Sequence, residues 1–144
     1  MPASPLISLV SMGEPFVHRI RVRYGEIDLQ RVVFNAHYLA YCDDDAVYWF
    51  HAMGAGLEDD WWDVMVKKAT ITWSGAARVH DELVIAVAVR RWGTTSFDVG
   101  FDGTVDGAAV FSATLTYVAV RTGTTETVRV PDDFRAAAGG PAPS

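Results

Sequence analysis

Residues 21–50 decide the fold, and they read RVRYGEIDLQRVVFNAHYLAYCDDDAVYWF. The first four residues alternate charged and apolar side chains, which is typical of a strand. Residues 25–30 follow as a loop that contains Asp28. After Asn35, a candidate N-cap, apolar residues recur every three or four positions, and they are Tyr38, Leu39, Cys42, Ala46, Trp49, Phe50 and Met53. This spacing predicts a helix with one broad buried face, which ends at Gly54 or Gly56.

This order places a carboxylate just before the start of a helix. The first N–H groups of a helix have no partner within the helix, and the macrodipole adds partial positive charge there. Such a terminus can stabilise an oxyanion that forms on a carbonyl, and a nearby carboxylate can attack that carbonyl or activate a water. Asp28 followed by a helix start at Asn35 therefore suggests acyl-group hydrolysis. The structural alternative is a loop aspartate that only caps a turn.

Two parts of this stretch, residues 21–28 and residues 32–39, resemble the active-site segment of a known enzyme family. That family is the hot-dog-fold acyl-CoA thioesterases, and the branch it most resembles is the 4-hydroxybenzoyl-CoA thioesterase family. The resemblance implies that Asp28 is the catalytic aspartate, acting as nucleophile or as general base. It also implies that the Asn35 N–H is the oxyanion donor. A looser resemblance, in the order of helix and strands, covers residues 16–134.

The sequence departs from this family pattern inside the motif. Family members usually have glycine where Arg31 stands, and many have histidine at Asn35 and asparagine at His37. A helix N-terminus offers its backbone N–H whatever side chain it carries, so the change at Asn35 leaves the oxyanion role intact. The change at Arg31 either narrows the loop or recruits an anionic group, and it therefore bears on the identity of the substrate.

Two further residues are candidate catalytic groups. His37 is a candidate base or a contact to the loop, although a lone histidine at a helix start is more often structural. Asp43 lies eight residues after Asn35, where a sister branch of hot-dog proteins places a catalytic carboxylate that reaches the site across a dimer. The structural alternative is that residues 43–45 form a solvated acidic stretch, because unpaired buried charges are costly.

Candidate substrate-binding residues fall into two groups. Tyr24, Phe34 and Tyr38 surround the motif and are candidates to hold the acyl group, with core packing as the alternative. The resemblance assigns contacts with coenzyme A to residues that flank a later turn, namely Arg90, Arg91, Thr95 and Ser96. Phosphate groups need cationic or hydroxyl donors, which these residues supply. Arginines that only solubilise the ends of strands are the alternative.

The composition excludes several other classes of protein. The chain has 144 residues, half of them hydrophobic, which suits one folded domain. The net charge of −6 argues against nucleic acid as a partner. A single cysteine and four scattered histidines argue against a disulfide and a metal site, and coenzyme A is expected as part of the substrate, with no separate cofactor. No apolar run reaches the ~18 residues of a membrane span and no signal peptide is evident, so we expect a cytoplasmic protein without membrane contact.

The rest of the chain predicts a β-rich domain. Residues 64–77, 83–92, 95–101 and 108–121 have the composition of strands, and Asp106-Gly107 is a hairpin signal. One helix followed by consecutive strands indicates an α+β fold. Together with the resemblance, this predicts a hot-dog fold, an antiparallel sheet of about five strands wrapped around one long central helix. The expected domain covers residues 16–135, between a flexible lead-in at 1–15 and a disordered tail at 136–144.

Long strands leave exposed edges, which pairing across a homodimer would remove. The resemblance implies such a dimer, often paired again into a homotetramer, with active sites at the subunit interface. The expected function is hydrolysis of an acyl-CoA or acyl carrier protein thioester to a free acid and a thiol. A hypothesis of a different class remains open, in which a hot-dog module binds or senses acyl-CoA without cleaving it.

Overall fold

Five antiparallel strands form one sheet against a long helix in the computed structural model, which describes residues 15–54 and 61–141. The elements are β1 (Phe16–Arg21), a 3₁₀ turn (Tyr24–Glu26), α1 (Asn35–Met53), β2 (Trp62–Trp73), β3 (Glu82–Trp92), β4 (Ser96–Val105), β5 (Ala108–Arg121) and α2 (Asp132–Ala138). The strands lie in the order β1-β3-β4-β5-β2, and every neighbouring pair is antiparallel. This arrangement confirms the predicted α+β class and hot-dog architecture.

The hairpin between β4 and β5 forms where the sequence predicts it. Asp106 and Gly107 have φ values of 50° and 80°. A two-residue hairpin turn of this kind needs positive φ at both central positions, which aspartate and glycine tolerate. Val105 and Ala108 pair directly across the turn. Local turn chemistry thus accounts for the β4–β5 hairpin, whereas β2 pairs with β5 across a long stretch of sequence.

The core lies between the inner face of the sheet and one face of α1. Alternate residues of β3 are buried, namely Leu83, Ile85, Val87 and Val89. From α1, Phe50 packs with its ring centroid between 5.2 and 5.7 Å from those of Phe97, Tyr117 and Phe134. Such aromatic pairs contribute about 0.5–1.5 kcal/mol each beyond simple burial. These contacts fix the helix on the sheet and so fix the position of its N-terminus.

The bounds and the buried face of α1 differ in detail from the prediction. The helix begins at Asn35, but Phe34 occupies the N-cap position that the sequence suggested for Asn35. It ends as predicted at Gly54, which adopts the left-handed conformation at φ 64°. Leu39, expected on the buried face, is 38% exposed in a single chain, and Asp45 is buried instead. Neither helix within residues 15–54 and 61–141 combines the length and the apolar composition that crossing a bilayer requires.

The C-terminal segment is more ordered than the sequence predicts. The expected tail began at residue 136, but α2 continues through Ala138, which is buried. The Trp92 Nε1–H then donates a hydrogen bond to the Gly139 carbonyl at 2.8 Å. The predicted boundary is therefore wrong for residues 136–139, because small residues let this segment pack closely on Trp92. Residues 142–144, and the expected lead-in apart from Pro15, lie outside the described residues.

Candidate functional site

Backbone hydrogen bonds close the loop that carries Asp28 onto the start of α1. Ile27 and Val33 form an isolated antiparallel bridge. One residue further out on each side, the Phe34 N–H donates to the Glu26 carbonyl at 3.0 Å. The two ends of the loop therefore meet at the N-terminus of α1, which holds Asp28 in a fixed position relative to that terminus.

A tight turn inside the loop sets the direction of the Asp28 backbone. The Asp28 N–H donates to the Val32 carbonyl, and the Arg31 N–H donates to the Asp28 carbonyl, both at 2.9 Å. The half-buried Asp28 carboxylate accepts one hydrogen bond through Oδ1, from the Gln30 N–H at 2.8 Å. This is the turn-capping contact of the structural alternative, and Oδ2 accepts no hydrogen bond from residues 15–54 or 61–141. Both interpretations of Asp28 are compatible with this geometry.

Asp28 lines a cleft of about 770 Å³. The other residues that line it are Tyr24, Ile27, Leu29, Arg31 and Val79. Most of these side chains are apolar, so the cleft combines one carboxylate and one guanidinium with a surface suited to a hydrocarbon or aromatic group. Tyr24, one of the predicted acyl-binding residues, is 80% exposed here.

The N-terminus of α1 is open to an anion. Phe34 at the N-cap is in the extended conformation, no side chain caps the helix, and its first turn contains no acid. Within the described part of the chain, no group accepts a hydrogen bond from the Asn35 N–H. Among the described residues, no side-chain cap and no acid in the first turn thus offset the positive end of this nineteen-residue helix. This geometry suits the stabilisation of a developing oxyanion.

Glu26 supports this arrangement, and the sequence analysis missed it. Its carboxylate is only 7% exposed and accepts hydrogen bonds from the Arg23 N–H at 2.8 Å and from the Arg23 guanidinium at 2.8 and 3.2 Å. Burial raises the pKa of Glu26, but the contacts with Arg23 outweigh burial and hold the pKa below its usual value. Glu26 therefore stays anionic and anchors the turn that leads into the Asp28 loop. The available signal was the opposite charge of Arg23 and Glu26 at a spacing of three residues, which allows them to pair.

A second cleft, of about 970 Å³, lies along the first turns of α1 and contains the other two candidate catalytic residues. His37 and Asp43 line it, together with Tyr41 and Glu26. The His37 ring lies 6.2 Å from the Phe34 ring and 6.5 Å from the Tyr41 ring, centroid to centroid. In one chain, then, His37 and Asp43 line a different cleft from Asp28. Their catalytic roles stay predictions.

Asp43 has a structural partner within the fold. Its Oδ1 accepts a hydrogen bond at 2.9 Å from the hydroxyl of Tyr117 on β5. Tyr117 is buried, and burial together with the Asp43 carboxylate raises the pKa of its hydroxyl, so it remains a neutral donor. Asp43 thus anchors α1 to the sheet whether or not it also meets a substrate.

The two remaining aromatic candidates differ in exposure. Phe34 is 52% exposed beside the start of α1, where it can contact a ligand at the helix terminus. Tyr38 is buried in the core, and the Ala77 N–H donates to its hydroxyl at 3.1 Å. Tyr38 therefore supports the helix start from inside the protein in a single chain.

The residues predicted to contact coenzyme A cluster at the opposite end of β3. Arg91 pairs with Asp98 at 2.9 Å and donates to the Ser96 hydroxyl at 3.2 Å, while Arg90 pairs with Asp102 at 3.0 Å. The fourth of them, Thr95, accepts a backbone bond from the Ala119 N–H. Val79, which lines the Asp28 cleft, lies close to the Glu82 end of β3. At about 3.3 Å per residue, Arg90 and Arg91 are about 25–30 Å along β3 from that end. In one chain these residues cannot reach the Asp28 cleft.

Asp45 is a buried acid, which differs from the alternative interpretation of residues 43–45 as a solvated stretch. Its side chain is fully buried on α1, and Oδ1 is hydrogen bonded to Nδ1 of His18 on β1. Burial raises the pKa of Asp45 to about 6, although the neighbouring His18 opposes this shift. Only Asp44 of the three consecutive acids is exposed. Across residues 15–54 and 61–141, no three His, Cys, Asp or Glu side chains are grouped as a metal site requires.

The sequence profile of the thioesterase-like superfamily matches residues 22–138, which include the Asp28 loop, α1 and strands β2 to β5. The chain belongs to the thioesterase-like superfamily. This membership supports thioester hydrolysis as the general reaction. It confirms the predicted resemblance at the level of the superfamily, and it does not single out the 4-hydroxybenzoyl-CoA branch.

Solved structures of thioesterases share the fold of this superfamily member. The dynemicin thioesterase matches with a TM-score of 0.80 and 19% identity, over 90% of this chain and 99% of its own. A 1,4-dihydroxy-2-naphthoyl-CoA thioesterase from Synechocystis matches with a TM-score of 0.76 and 15% identity, over 85% of this chain and 94% of its own. A gentisyl-coenzyme A thioesterase matches with a TM-score of 0.75 and 20% identity, over 84% of this chain and 98% of its own. No curated protein sequence matches the chain significantly.

Proposed function

We propose that the protein hydrolyses the thioester of an acyl-CoA or an acyl carrier protein to a free acid and a thiol. One observation carries the proposal: the loop with Asp28 is hydrogen bonded onto the uncapped N-terminus of α1, beside a largely apolar cleft. Membership of the thioesterase-like superfamily over residues 22–138 supports the same reaction. Carboxylate, open helix terminus and cleft together provide a nucleophile or base, an oxyanion donor and an acyl site.

In the proposed mechanism the thioester carbonyl oxygen accepts a hydrogen bond from the Asn35 N–H. Asp28 then acts in one of two ways. As a nucleophile, its carboxylate attacks the carbonyl carbon, the thiolate leaves, and water hydrolyses the resulting mixed anhydride. As a general base, it takes a proton from a water that attacks the carbonyl directly, and the resulting tetrahedral intermediate expels the thiolate to give the free acid. In both routes negative charge develops on the carbonyl oxygen, where one backbone donor is worth about 3–4 kcal/mol.

For the acyl group, we propose an aromatic or a medium-to-long hydrocarbon chain. The lining of the Asp28 cleft by Tyr24, Ile27, Leu29 and Val79 favours an apolar group over a small polar one. Two structural neighbours are named for aryl-CoA substrates, and the dynemicin thioesterase is described with a bound polyene. These neighbours share the fold, so they support bulky acyl groups as the first ones to test.

We further propose that the active unit is a homodimer, or a homotetramer built from two such dimers. β2 is an edge strand of twelve residues, and Met65, Val66 and Trp73 on it are between 41% and 48% exposed in one chain. An exposed apolar edge of this length favours pairing with a second copy. A dimer also allows the Arg90 and Arg91 cluster of one chain to approach the Asp28 cleft of the other and bind coenzyme A phosphates.

A thiol-release assay with two matched carboxylate variants tests the proposed reaction. The panel runs over acyl-CoA chain lengths and aryl-CoAs, with wild type, Asp28→Asn and Asp43→Asn. Asp28→Asn is expected to lower kcat by about 10²–10⁴-fold, the usual contribution of such a group. Asp43→Asn keeps an amide oxygen that can accept from the Tyr117 hydroxyl, and its kcat is expected to stay within about threefold because Asp43 lines the other cleft in a single chain.

Binding measurements separate the enzyme from a sensor. If Asp28→Asn still binds a non-hydrolysable thioether analogue while turnover is lost, the carboxylate acts in chemistry. Turnover that survives in Asp28→Asn and falls in Asp43→Asn would move the reaction to the second cleft and refute the assignment. Tight binding by a wild type that hydrolyses no member of the panel would favour the binding-module alternative. If turnover in oxygen-18-labelled water leaves the label in the carboxylate of Asp28, the nucleophilic route is identified.

A further inference from the structure

Arg31 adopts a backbone conformation that glycine adopts more easily than arginine. Its φ is 64°, in the left-handed region where the Cβ atom of an L residue is crowded by the backbone. The residue closes the turn that carries Asp28, because the Arg31 N–H donates to the Asp28 carbonyl. Glycine would satisfy this turn with less strain. Any advantage of arginine at this position therefore comes from its side chain.

The Arg31 side chain is exposed and lines the same cleft as Asp28. No acid in the described residues lies within ion-pair distance of its guanidinium. Six other arginines do have such a partner, and they are Arg19, Arg23, Arg90, Arg91, Arg121 and Arg129. The rest of the cleft lining, apart from Asp28, is uncharged. Arg31 thus presents to the occupant of the cleft a cation that forms no ion pair with an acid of the described residues.

We propose that Arg31 is a specificity-determining residue that binds an anionic substituent, in the first place a carboxylate, on the acyl part of the substrate. The inference deepens the proposed thioesterase function and rests on it. A guanidinium matches a carboxylate with two parallel hydrogen bonds, whereas a purely hydrocarbon chain leaves the cation without a partner. The preferred substrate is therefore an amphipathic acyl or aryl group with an apolar body and an acidic end.

The position of Arg31 favours the acyl part of the substrate over the nucleotide part. The turn from Asp28 to Arg31 is closed by one hydrogen bond, which keeps the two Cα atoms within about 7 Å. A thioester carbonyl placed against Asp28 therefore leaves its acyl group within reach of the long Arg31 side chain. The phosphates of coenzyme A are separated from the same carbonyl by the long pantetheine arm and have Arg90 and Arg91 as candidates.

The test varies two features of the substrate independently, the charge of the acyl group and the thiol that carries it. Glutaryl is compared with pentanoyl, and 4-carboxybenzoyl with 4-methylbenzoyl, each as a coenzyme A thioester and as an N-acetylcysteamine thioester, which lacks phosphate. The variants are Arg31→Gln, which removes the charge, and Arg31→Lys, which keeps it. Arg78→Gln is the matched control, since Arg78 is an exposed arginine next to the cleft residue Val79. Thermal unfolding of each variant checks that it is folded.

The expected result follows the acyl charge. Arg31→Gln lowers kcat/KM for the carboxylated acyl groups by about ten- to a hundredfold on both carriers, the usual effect of one charged hydrogen-bonded contact. Neutral acyl groups are unaffected, Arg31→Lys recovers part of the loss, and Arg78→Gln shows none. A loss confined to coenzyme A thioesters would assign the anion to the nucleotide and overturn the inference. Equal losses for charged and neutral acyl groups, or for Arg78→Gln, would overturn it too.

Failure of the inference is distinguishable from failure of the proposed function. If the wild type hydrolyses neutral and charged thioesters equally well, the proposed reaction is supported and the proposed role of Arg31 is refuted. If no thioester is hydrolysed, the proposed reaction falls, and calorimetry with non-hydrolysable thioethers of the same acyl groups still tests Arg31. In that assay Arg31→Gln is expected to bind the carboxylated thioether at least about tenfold more weakly, and equal binding would refute the inference.

Discussion

The buried carboxylate of Asp45 makes a quantitative prediction about stability against pH. Its pKa is raised to about 6 in the folded protein, from an ordinary value of 3.8, with burial as the main cause. The groups that face it are His18 from β1 and, on its own helix, Asp44 and Cys42, whose thiol pKa is itself raised by burial. The folded state therefore binds more protons than the unfolded state between these two values. Stability is fully present below the lower value and falls as pH rises through the upper one.

The magnitude follows from the size of the shift. A raised pKa of about two units corresponds to a loss of about 3 kcal/mol once Asp45 is ionised. Asp45→Asn keeps the size of the side chain and an acceptor oxygen for His18, but it cannot ionise. The substitution also removes the charged contact between the Asp45 carboxylate and His18, a second titratable group, so the difference between two pH values reports on the pair. We expect the free energy of unfolding of Asp45→Asn, relative to wild type, to rise by about 2 kcal/mol from about pH 4.5 to about pH 7.5.

Urea unfolding at several pH values, with linear extrapolation to water, measures this difference. Asp44→Asn is the matched control, because it removes one carboxylate from the exposed face of the same turn. Its stability relative to wild type should change little over the same range. A flat difference for Asp45→Asn would show that the folded protein does not resist ionisation at this site, and the reasoning from burial would be refuted.

Two other substitutions test the support of the Asp28 loop. Glu26→Gln removes the anion that pairs with Arg23 in the turn before Asp28. The loop is then expected to be misplaced, which lowers kcat about ten- to a hundredfold with little change in KM. Glu82→Gln, which breaks an exposed ion pair on β3, is the control, and an unchanged kcat in Glu26→Gln would contradict a positioning role. Arg31→Gly is expected to raise the free energy of unfolding by about 0.5–1 kcal/mol, because glycine tolerates a φ of 64°. Asp106→Gly, at φ 50° in the distant hairpin, should change stability in the same direction by less, and a destabilised Arg31→Gly would show that the side chain supports the fold.

The parts of the fold that the sequence predicts are those with local signals. The spacing of apolar residues after Asn35 predicts α1, Gly54 marks its end, and Asp106-Gly107 marks the β4–β5 turn. Each of these depends on neighbours within a few positions along the chain. The pairing of β2 with β5, and the docking of α2 beyond residue 135, depend instead on contacts that no local pattern encodes.

The same distinction applies to the candidate site. Asp28 and the start of α1 lie seven residues apart, and a local motif links them. The partners that settle the environments of the helix acids are remote, since Asp43 meets Tyr117 across 74 positions and Asp45 meets His18 across 27. A run of three acids gives no indication of which one turns inward. Only the three-dimensional packing of α1 on the sheet decides that Asp45 is buried and Asp44 exposed.

The proposed site uses backbone groups and side chains for different tasks, and this explains which sequence changes it is expected to tolerate. In the proposed mechanism the oxyanion donor is a backbone N–H at a helix terminus, so the side chain at position 35 is expected to vary without loss of the reaction. The loop that presents Asp28 is held by backbone hydrogen bonds and by the anchored Glu26, which leaves Leu29 and Arg31 exposed at the cleft. In this proposal, backbone geometry and one carboxylate determine the class of reaction, while the exposed side chains of the loop select the substrate. It follows that substitutions at Arg31 should lower kcat/KM for carboxylated thioesters and leave the cleavage of neutral thioesters unchanged.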